Sequence, residues 1–164
     1  MKTLVIALAT LAYLLPHPFG ATSLGALALY SGALGRSGSS WGTPFIPLTL
    51  GLVVTGLFEP IVMVFVFAGY ALSTLAGRWF LRENRTPSRW GAAIGCGAAI
   101  FYLVSNFSMW LAGFYPQTAA GLLACYIAGL PYLGIALVAD SIYATLLFGI
   151  HGAIERRQAR LATT

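Results

Sequence analysis

The stretch IVMVFVFAGYALSTLAGRWF at residues 61–80 is followed by LRENRTPSR at residues 81–89 and WGAAIGCGAAIFYLVSNFSMWLAG at residues 90–113. Each apolar run is about as long as a helix that crosses the roughly 30 Å hydrocarbon core of a bilayer. The segment between them carries three arginines. Because cytoplasmic loops favour Lys and Arg, the pattern predicts two transmembrane helices joined on the cytoplasmic side.

The composition extends this prediction to the whole chain. It is 59% hydrophobic and 8% charged, with a mean hydropathy of +0.83, whereas soluble domains carry about 25% charged residues. A soluble core of 164 residues could not bury so much apolar surface. We therefore predict a multi-pass α-helical membrane protein. Its length allows about six spans of roughly 20 residues and no additional soluble domain.

The predicted fold is all-α, with six transmembrane helices and one short helix on the outer face. The short helix at 118–130 has about 13 residues, too few to cross the bilayer alone, and Pro131 separates it from the last span. Residues 1–155 then form one membrane domain, and 156–164 form a basic cytoplasmic tail. The predicted spans are 3–15, 22–35, 44–58, 61–80, 90–113 and 131–154.

The basic residues predict the orientation. With both termini inside, every Lys and Arg is cytoplasmic, as the positive-inside rule requires. We therefore expect a protein of the bacterial cytoplasmic (inner) membrane with both termini in the cytoplasm. A crossing by 118–130 would place three arginines outside, so we reject it. The nine residues are Lys2, Arg36, Arg78, Arg82, Arg85, Arg89, Arg156, Arg157 and Arg160.

Charge and the N-terminal segment argue against two further classes. The net charge of +5 is spread over helix ends, where it would meet anionic lipid headgroups, so it does not predict nucleic-acid binding. The apolar run after Lys2 resembles a signal peptide, but no A-x-A cleavage site follows, which favours a retained helix.

Catalytic patterns are not found in the sequence. It contains no G-x-x-x-x-G-K-[ST] loop, no H-E-x-x-H and no G-x-S-x-G, the patterns of phosphate binding, zinc proteolysis and serine hydrolysis. We expect a protein that is not an enzyme and has no intrinsic cofactor.

Asp140 is the acidic residue that lies deepest in a predicted span. A carboxylate near mid-membrane costs on the order of 2.5–3.5 kcal/mol on insertion scales. We interpret Asp140 as a ligand or proton site. The alternative is a neutral side chain that bonds a neighbouring helix. Tyr143 lies three residues later on the same helix face.

The other candidate site residues lie towards the outer surface. Asn106 and Trp110 are four residues apart, and an amide beside a large ring suits an organic ligand. Alternatively, Trp110 is an interfacial residue and Asn106 bonds a helix. Cys125 and His17 are also the candidates for binding a metal. The residues that could cover a pocket from outside are Tyr115, Gln117, Cys125, Tyr126 and His17.

Small residues recur at four-residue spacing, which lets helix backbones approach closely. Such pairs indicate packing within the bundle or, alternatively, a face that docks another membrane protein. Examples are Ala28 with Gly32, Gly91 with Gly95, and Ala93 with Gly97.

Several longer segments resemble one family. The segments are LPHP at 15–18, SLGALALYSGA at 23–33, SNFSMWL at 105–111, YPQTAAGLLACYIAGLPY at 115–132 and DSIYATLLFG at 140–149. Together they resemble a bacterial family of small six-span membrane proteins. That family is itself similar to the substrate-binding S components of energy-coupling-factor (ECF) vitamin transporters.

The resemblance implies a role in uptake. S components bind a vitamin, a cofactor precursor or a metal from outside, and a separate ECF coupling subunit with two ATPases drives release inside. Some cobalamin-type members bind cobalt through a cysteine, so the resemblance allows a bound vitamin or cobalt-containing cofactor. The expected partners are the lipid bilayer, a small-molecule ligand from the outer side, the coupling subunit and its ATPases.

Our hypothesis from the sequence is a substrate-binding membrane subunit for uptake of a vitamin or related micronutrient. One alternative is a structural or assembly protein that holds no small-molecule ligand. Another is a proton-coupled carrier that uses Asp140.

Overall fold

The structure, a computed structural model, describes residues 2–14, 21–35, 42–56 and 59–162, without the side chains of residues 2–6 and 55. This part of the chain is all-helical, so the predicted fold class is confirmed at that level. Its helices are α1 (Lys2–Leu14), α2 (Leu24–Leu34), α3 (Phe45–Thr55), α4 (Pro60–Leu81), α5 (Pro87–Leu111) and α6 (Ala119–Leu161).

Three of these helices, α4, α5 and α6, are long and apolar enough to cross a membrane. The first three have 11 to 13 residues, or about 17–20 Å at 1.5 Å per residue. That is less than the roughly 30 Å hydrocarbon core. The structure therefore supports three membrane-spanning helices, and the prediction of six full spans is not confirmed.

The last helix differs most from the prediction. α6 runs without a break from Ala119 to Leu161, so the separate helix at 118–130 and the break at Pro131 are wrong. Proline removes one N–H and fixes φ near the helical value, and membrane helices tolerate it where neighbours satisfy the freed backbone groups. Thr118 caps the start, its Oγ1 accepting the N–H of Gly121 at 3.1 Å. Residues 156–161 of the predicted tail are also helical.

The centre of the bundle is α2, of which nine of eleven residues are buried. Glycines bring its backbone against α4: a Cβ on Gly32 would lie 1.9 Å from the Thr74 carbonyl oxygen, and one on Gly77 would lie 2.3 Å from that of Leu29. Such approaches are what small residues permit. For Gly32, the interpretation of packing within the bundle is confirmed, and Gly77 makes a second contact of the same kind.

The described arginines gather at one end of the bundle. Phe148 of α6 packs edge-on against Trp90 of α5, with ring centroids 4.8 Å apart, and the guanidinium of Arg85 lies 5.4 Å from the Phe148 ring centre. The turn of α6 at Phe148 therefore lies beside the α4–α5 connection, and the arginines of α6 follow it in the chain. We call this the basic end, and the end with the α5–α6 connection (112–118) the opposite end.

Candidate ligand-binding site

A cavity of about 410 Å³ lies between α5 and α6, towards the opposite end. Its volume falls within the roughly 300–1,000 Å³ typical of small-molecule sites. The walls are mainly apolar, with a few hydroxyl, thiol and amide groups, as is usual for such sites. The lining residues with polar groups are Tyr102, Ser105, Asn106, Tyr115, Cys125 and Tyr132.

Asn106 lies in the wall of this cavity and is held in place by its own helix. Its Nδ2 donates to the Tyr102 carbonyl oxygen at 2.8 Å. Its Oδ1 lies close to α6, where a Cβ on Gly129 would come within 2.4 Å of it. The Cys125 thiol also donates to Oδ1, at 3.9 Å. The second lone pair of Oδ1 and the second Nδ2 hydrogen are therefore the groups with which Asn106 could bind a ligand.

Cys125 lies across the cavity wall from Asn106 and is 1% exposed. Its Sγ donates to the Asn106 carbonyl oxygen at 3.2 Å. Among the described residues, no three His, Cys, Asp or Glu side chains lie together where they could hold a metal ion. A metal bound by Cys125 would therefore need its other ligands from a cofactor that carries the metal, or from groups other than the His, Cys, Asp and Glu side chains of the described residues.

Two tyrosines fix α6 against α5. The Tyr102 hydroxyl donates to the Tyr126 carbonyl oxygen at 2.6 Å, and the Tyr126 hydroxyl donates to the Leu103 carbonyl oxygen at 2.9 Å. The two rings meet edge-on, with centroids 5.6 Å apart. Tyr126, a predicted site residue, does not line the cavity, but its hydrogen bond holds the cavity wall in position.

Trp110 and Gln117 fold the α5–α6 connection over the opposite end. Trp110 Nε1 donates to the Pro116 carbonyl oxygen at 3.0 Å, and Gln117 Nε2 donates to the Trp110 carbonyl oxygen. Tyr115, in the same connection, lines the cavity. The structure therefore brings Asn106, Tyr115 and Cys125 together around the cavity and places Trp110 and Gln117 beside it.

Asp140 is buried, with 6% of its surface exposed, and caps a neighbouring helix. Its Oδ1 accepts the Ala26 N–H at 2.9 Å. Ala26 lies in the first turn of α2, where N–H groups lack intrahelical partners and the helix dipole favours negative charge. Ser23, at the N-cap position, donates instead to the Ala9 carbonyl oxygen. Gly25 makes the approach possible, because a Cβ there would lie 2.3 Å from Asp140 Oδ2.

Asp140 also lines a second, smaller cavity of about 40 Å³, room for about one water molecule. The other polar lining residues are Thr22, Tyr70 and Ser73. This polar cavity lies next to the larger one, since both are lined by the same three residues, Ala98, Phe101 and Ala136.

Two predicted site residues lie elsewhere. Tyr143 lines a different groove, which it shares with Ala21 and Pro131, and packs against the buried cluster around Tyr30. It is therefore not brought to the cavities beside Asp140. His17 falls outside the residues that the structure describes.

Sequence reasoning missed the polar neighbours of Asp140. Tyr70 and Ser73 lie three residues apart on one face of α4, but that spacing equally fits ordinary packing. It also missed Tyr132, which was expected at the start of the last span, directly after the predicted break at Pro131. Only the observed course of α6 places Tyr132 in the cavity wall.

A further buried polar group lies at the basic end. His151 of α6 is 3% exposed. Its Nδ1 lies 2.8 Å from the Tyr30 hydroxyl, and its Nε2 lies 3.0 Å from Glu155 Oε1. Two histidine nitrogens with two partners leave no polar atom of the ring unsatisfied, so the group is a complete link between α2 and α6.

Comparison with known proteins gives one match. No curated protein and no solved structure matches the chain, so the resemblance to S components stays a prediction. A model of a family of unknown function, DUF6580, matches residues 1–161, nearly the whole sequence. The chain therefore belongs to the DUF6580 family.

Proposed function

We propose that the protein is a membrane subunit that binds a small organic molecule between α5 and α6 for its uptake. The observation that carries the proposal is the cavity of about 410 Å³ with Asn106 in its wall. Its phenol rings and single carboxamide suit a largely apolar molecule with a few hydrogen-bonding groups. A vitamin or cofactor precursor of the cell fits that description.

The orientation of the helices would give the cavity access from outside the cell. Arginines cluster at the basic end, and such clusters favour the cytoplasmic side. In the bacterial inner membrane, the opposite end would then face outward, and Tyr115 of the α5–α6 connection would meet an entering ligand. Both termini would be cytoplasmic in this orientation.

Energy for release would come from other subunits. The chain has no phosphate-binding loop of the G-x-x-x-x-G-K-[ST] kind, and its sequence resembles S components, which work with a coupling subunit and two ATPases. A cobalt-containing cofactor is one ligand within this proposal, since Cys125 lies in the cavity wall and a thiolate is a soft metal ligand.

Native mass spectrometry of the gently purified full chain tests the proposal. We expect a bound small molecule, which extraction and mass measurement would identify. Asn106→Ala should weaken its binding about five- to tenfold, because one neutral hydrogen bond contributes about 1 kcal/mol. Ser141→Ala is the control, since Ser141 is exposed and its Oγ bonds only the Leu137 carbonyl oxygen.

A filled cavity gives a second test that leaves the polar groups intact. Ala124 and Ala128 are both exposed and lie one turn apart on α6, but of the two only Ala128 lines the cavity. Ala128→Phe should abolish ligand binding and Ala124→Phe should retain it. Equal binding by both variants, or no bound molecule in native protein and none taken up from a cell extract, would refute the proposal.

Asp140 supports a second candidate, a proton-coupled carrier. The observation in its favour is the small polar cavity at Asp140, which shares Ala98, Phe101 and Ala136 with the large one. Purified protein in liposomes would then take up ligand when a pH gradient is imposed, without any ATPase. Asp140→Asn would stop that uptake while ligand binding continued.

A further inference from the structure

A second large groove lies between α4 and α5 near the basic end, with a volume of about 940 Å³. One part of its wall is apolar, formed by Leu72 and Leu75 of α4 and Ile100 of α5. The other part holds Arg78, Arg82 and Arg89, together with Glu83. It is separate from the α5–α6 cavity, because the two share no lining residue.

The polarity of the groove changes with depth: its charged residues lie near the α4–α5 connection and its apolar residues lie deeper, in the order of a lipid headgroup and its acyl chains. Leu72 and Ile100 lie about three and four turns into their helices from the connection at 82–86, and the charged residues lie within about one turn of that connection. Leu72 and Leu75 are exposed although apolar, and Trp79 between the two parts is 83% exposed. Tryptophan is enriched at the level of lipid headgroups.

The charges of the groove favour an anion. Three guanidinium groups and one carboxylate leave a formal charge of two positive units (three minus one). Within the described part of the chain, neither Arg82 nor Arg89 forms an ion pair with an acidic side chain. Arg85 belongs to the other side, over the ring of Phe148.

We propose that this groove is a binding site for an anionic phospholipid. The phosphate group binds the guanidinium groups of Arg82 and Arg89, and an acyl chain lies along Leu72, Leu75 and Ile100. A soluble phosphate compound would satisfy the arginines but leave the apolar wall uncovered. Only a lipid supplies both a phosphate and a hydrocarbon chain with the spacing of this groove.

The test is native mass spectrometry of the full chain in detergent, titrated with phosphatidylglycerol or with phosphatidylcholine of the same acyl chains. Phosphatidylglycerol should bind more tightly. The double variant Arg82→Gln with Arg89→Gln should weaken its binding about 30-fold, at roughly 1 kcal/mol per basic residue. The control double variant, Arg156→Gln with Arg157→Gln, removes the same charge from α6 and should change binding less than threefold.

A variant that keeps all the arginines distinguishes binding in the groove from general electrostatic attraction between the lipid and the protein surface. Leu75→Trp narrows the apolar wall and should weaken phosphatidylglycerol binding at least fivefold. Leu123→Trp, at an exposed site on α6, should not. Thermal unfolding in detergent would show that each variant is folded. The proposal is overturned if both double variants lose affinity equally, if the two lipids bind alike, or if millimolar inorganic phosphate displaces the lipid.

Discussion

Asp140 shows how one buried carboxylate can serve a fold and still lie next to a site. Its Oδ1 holds the N–H of Ala26, and the small polar cavity lies beside it. The sequence left open whether Asp140 is a ligand or proton site or instead bonds a neighbouring helix, and the structure shows a bond to α2 with a small polar cavity beside it. It could not predict the partner, because Ala26 lies 114 residues away and offers only a backbone N–H.

The capping role predicts different results for two substitutions at this position. Asp140→Ala should lower the free energy of unfolding by about 1–2 kcal/mol, the usual effect of losing a helix cap. Asp140→Asn should lower it less, because an amide oxygen can still accept the Ala26 N–H. Denaturant unfolding in detergent measures both, with Ser141→Ala as a control near zero. Equal losses from Asn and Ala would show that the hydrogen bond does not stabilise α2.

At the scale of helices, the contact between α2 and α4 depends on backbone approach. The sequence predicted close packing from small residues four apart, and Gly32 fulfils it, whereas Gly77 was not among the pairs named from the sequence. The same spacing occurs in α5 at Gly91 and Gly95, but a Cβ at either position would meet no other atom within 4 Å. A spacing rule cannot distinguish the two cases, because the deciding atoms belong to another helix.

These glycines give a matched prediction. Gly32→Ala and Gly77→Ala should each lower the free energy of unfolding by about 1–3 kcal/mol, since the obstructing atoms are backbone and cannot rotate away. Gly95→Ala should leave it unchanged or raise it by up to about 1 kcal/mol, because alanine favours a helix over glycine. Thermal unfolding of the three proteins in one detergent would decide. If Gly95→Ala lowered the free energy of unfolding as much as Gly32→Ala, backbone contact between α2 and α4 would not explain the effect of the Gly32 substitution.

The tyrosine pair between α5 and α6 supports a second prediction at this scale. Tyr102→Phe and Tyr126→Phe should each lower the free energy of unfolding by about 1 kcal/mol, the net worth of a hydrogen bond. Both hydroxyls act on the same contact between α5 and α6. The loss of unfolding free energy in the double variant should therefore differ from the sum of the two single losses by at least about 0.5 kcal/mol. A double-mutant cycle measures this coupling. Strict additivity would mean that the two bonds act independently.

The course of α6 shows where local rules fail. Pro131 predicted a helix break, and with it a separate outer-face helix of about 13 residues at 118–130. In the structure, Tyr102 and Asn106 of α5 hold residues on the N-terminal side of Pro131, so tertiary contacts continue the helix through it. Helix ends at α2 and α3 were more local in origin: Gly35 and Gly56 follow them directly, as glycine commonly does.

At the scale of the whole molecule, the distribution of charge was predictable and the number of full spans was not. Arginines are visible in the sequence, and the contacts of Phe148 place the α6 turn that precedes the basic tail beside the α4–α5 connection. The first three helices have only 11 to 13 residues. Of these, α2 is buried among other helices, whereas Val53 and Val54 of α3 are 77% and 75% exposed. The burial of α2 cannot be read from hydropathy.

The shared end of α4, α5 and α6 predicts a labelling pattern in intact cells. In a background without native cysteines (Cys96→Ala with Cys125→Ala), Glu83→Cys and Gln158→Cys should react with an impermeant maleimide only after the membrane is disrupted. Phe114→Cys, in the exposed α5–α6 connection, should react from outside without disruption, because arginine-rich ends stay inside. Reaction of residues 83 and 158 from different sides would contradict the shared end.

The candidate site was predicted in part. Asn106, Tyr115 and Cys125 were chosen from residue type and position relative to the outer surface, and all three line the larger cavity. Tyr143 was placed beside Asp140 from helical spacing alone, but α6 turns it towards a different groove. Whether two residues three positions apart on a helix face the same neighbour depends on where the neighbouring helices lie. A single sequence does not give those positions.

The burial of α2 has a consequence for biosynthesis. The ribosome makes this helix before α4, α5 and α6, yet those later helices surround it. Eleven residues, about 17 Å long, cannot bridge the bilayer core on their own. The segment must therefore wait at the insertion machinery or at the membrane surface until the later helices emerge, and its final insertion is a late step in the maturation of the chain.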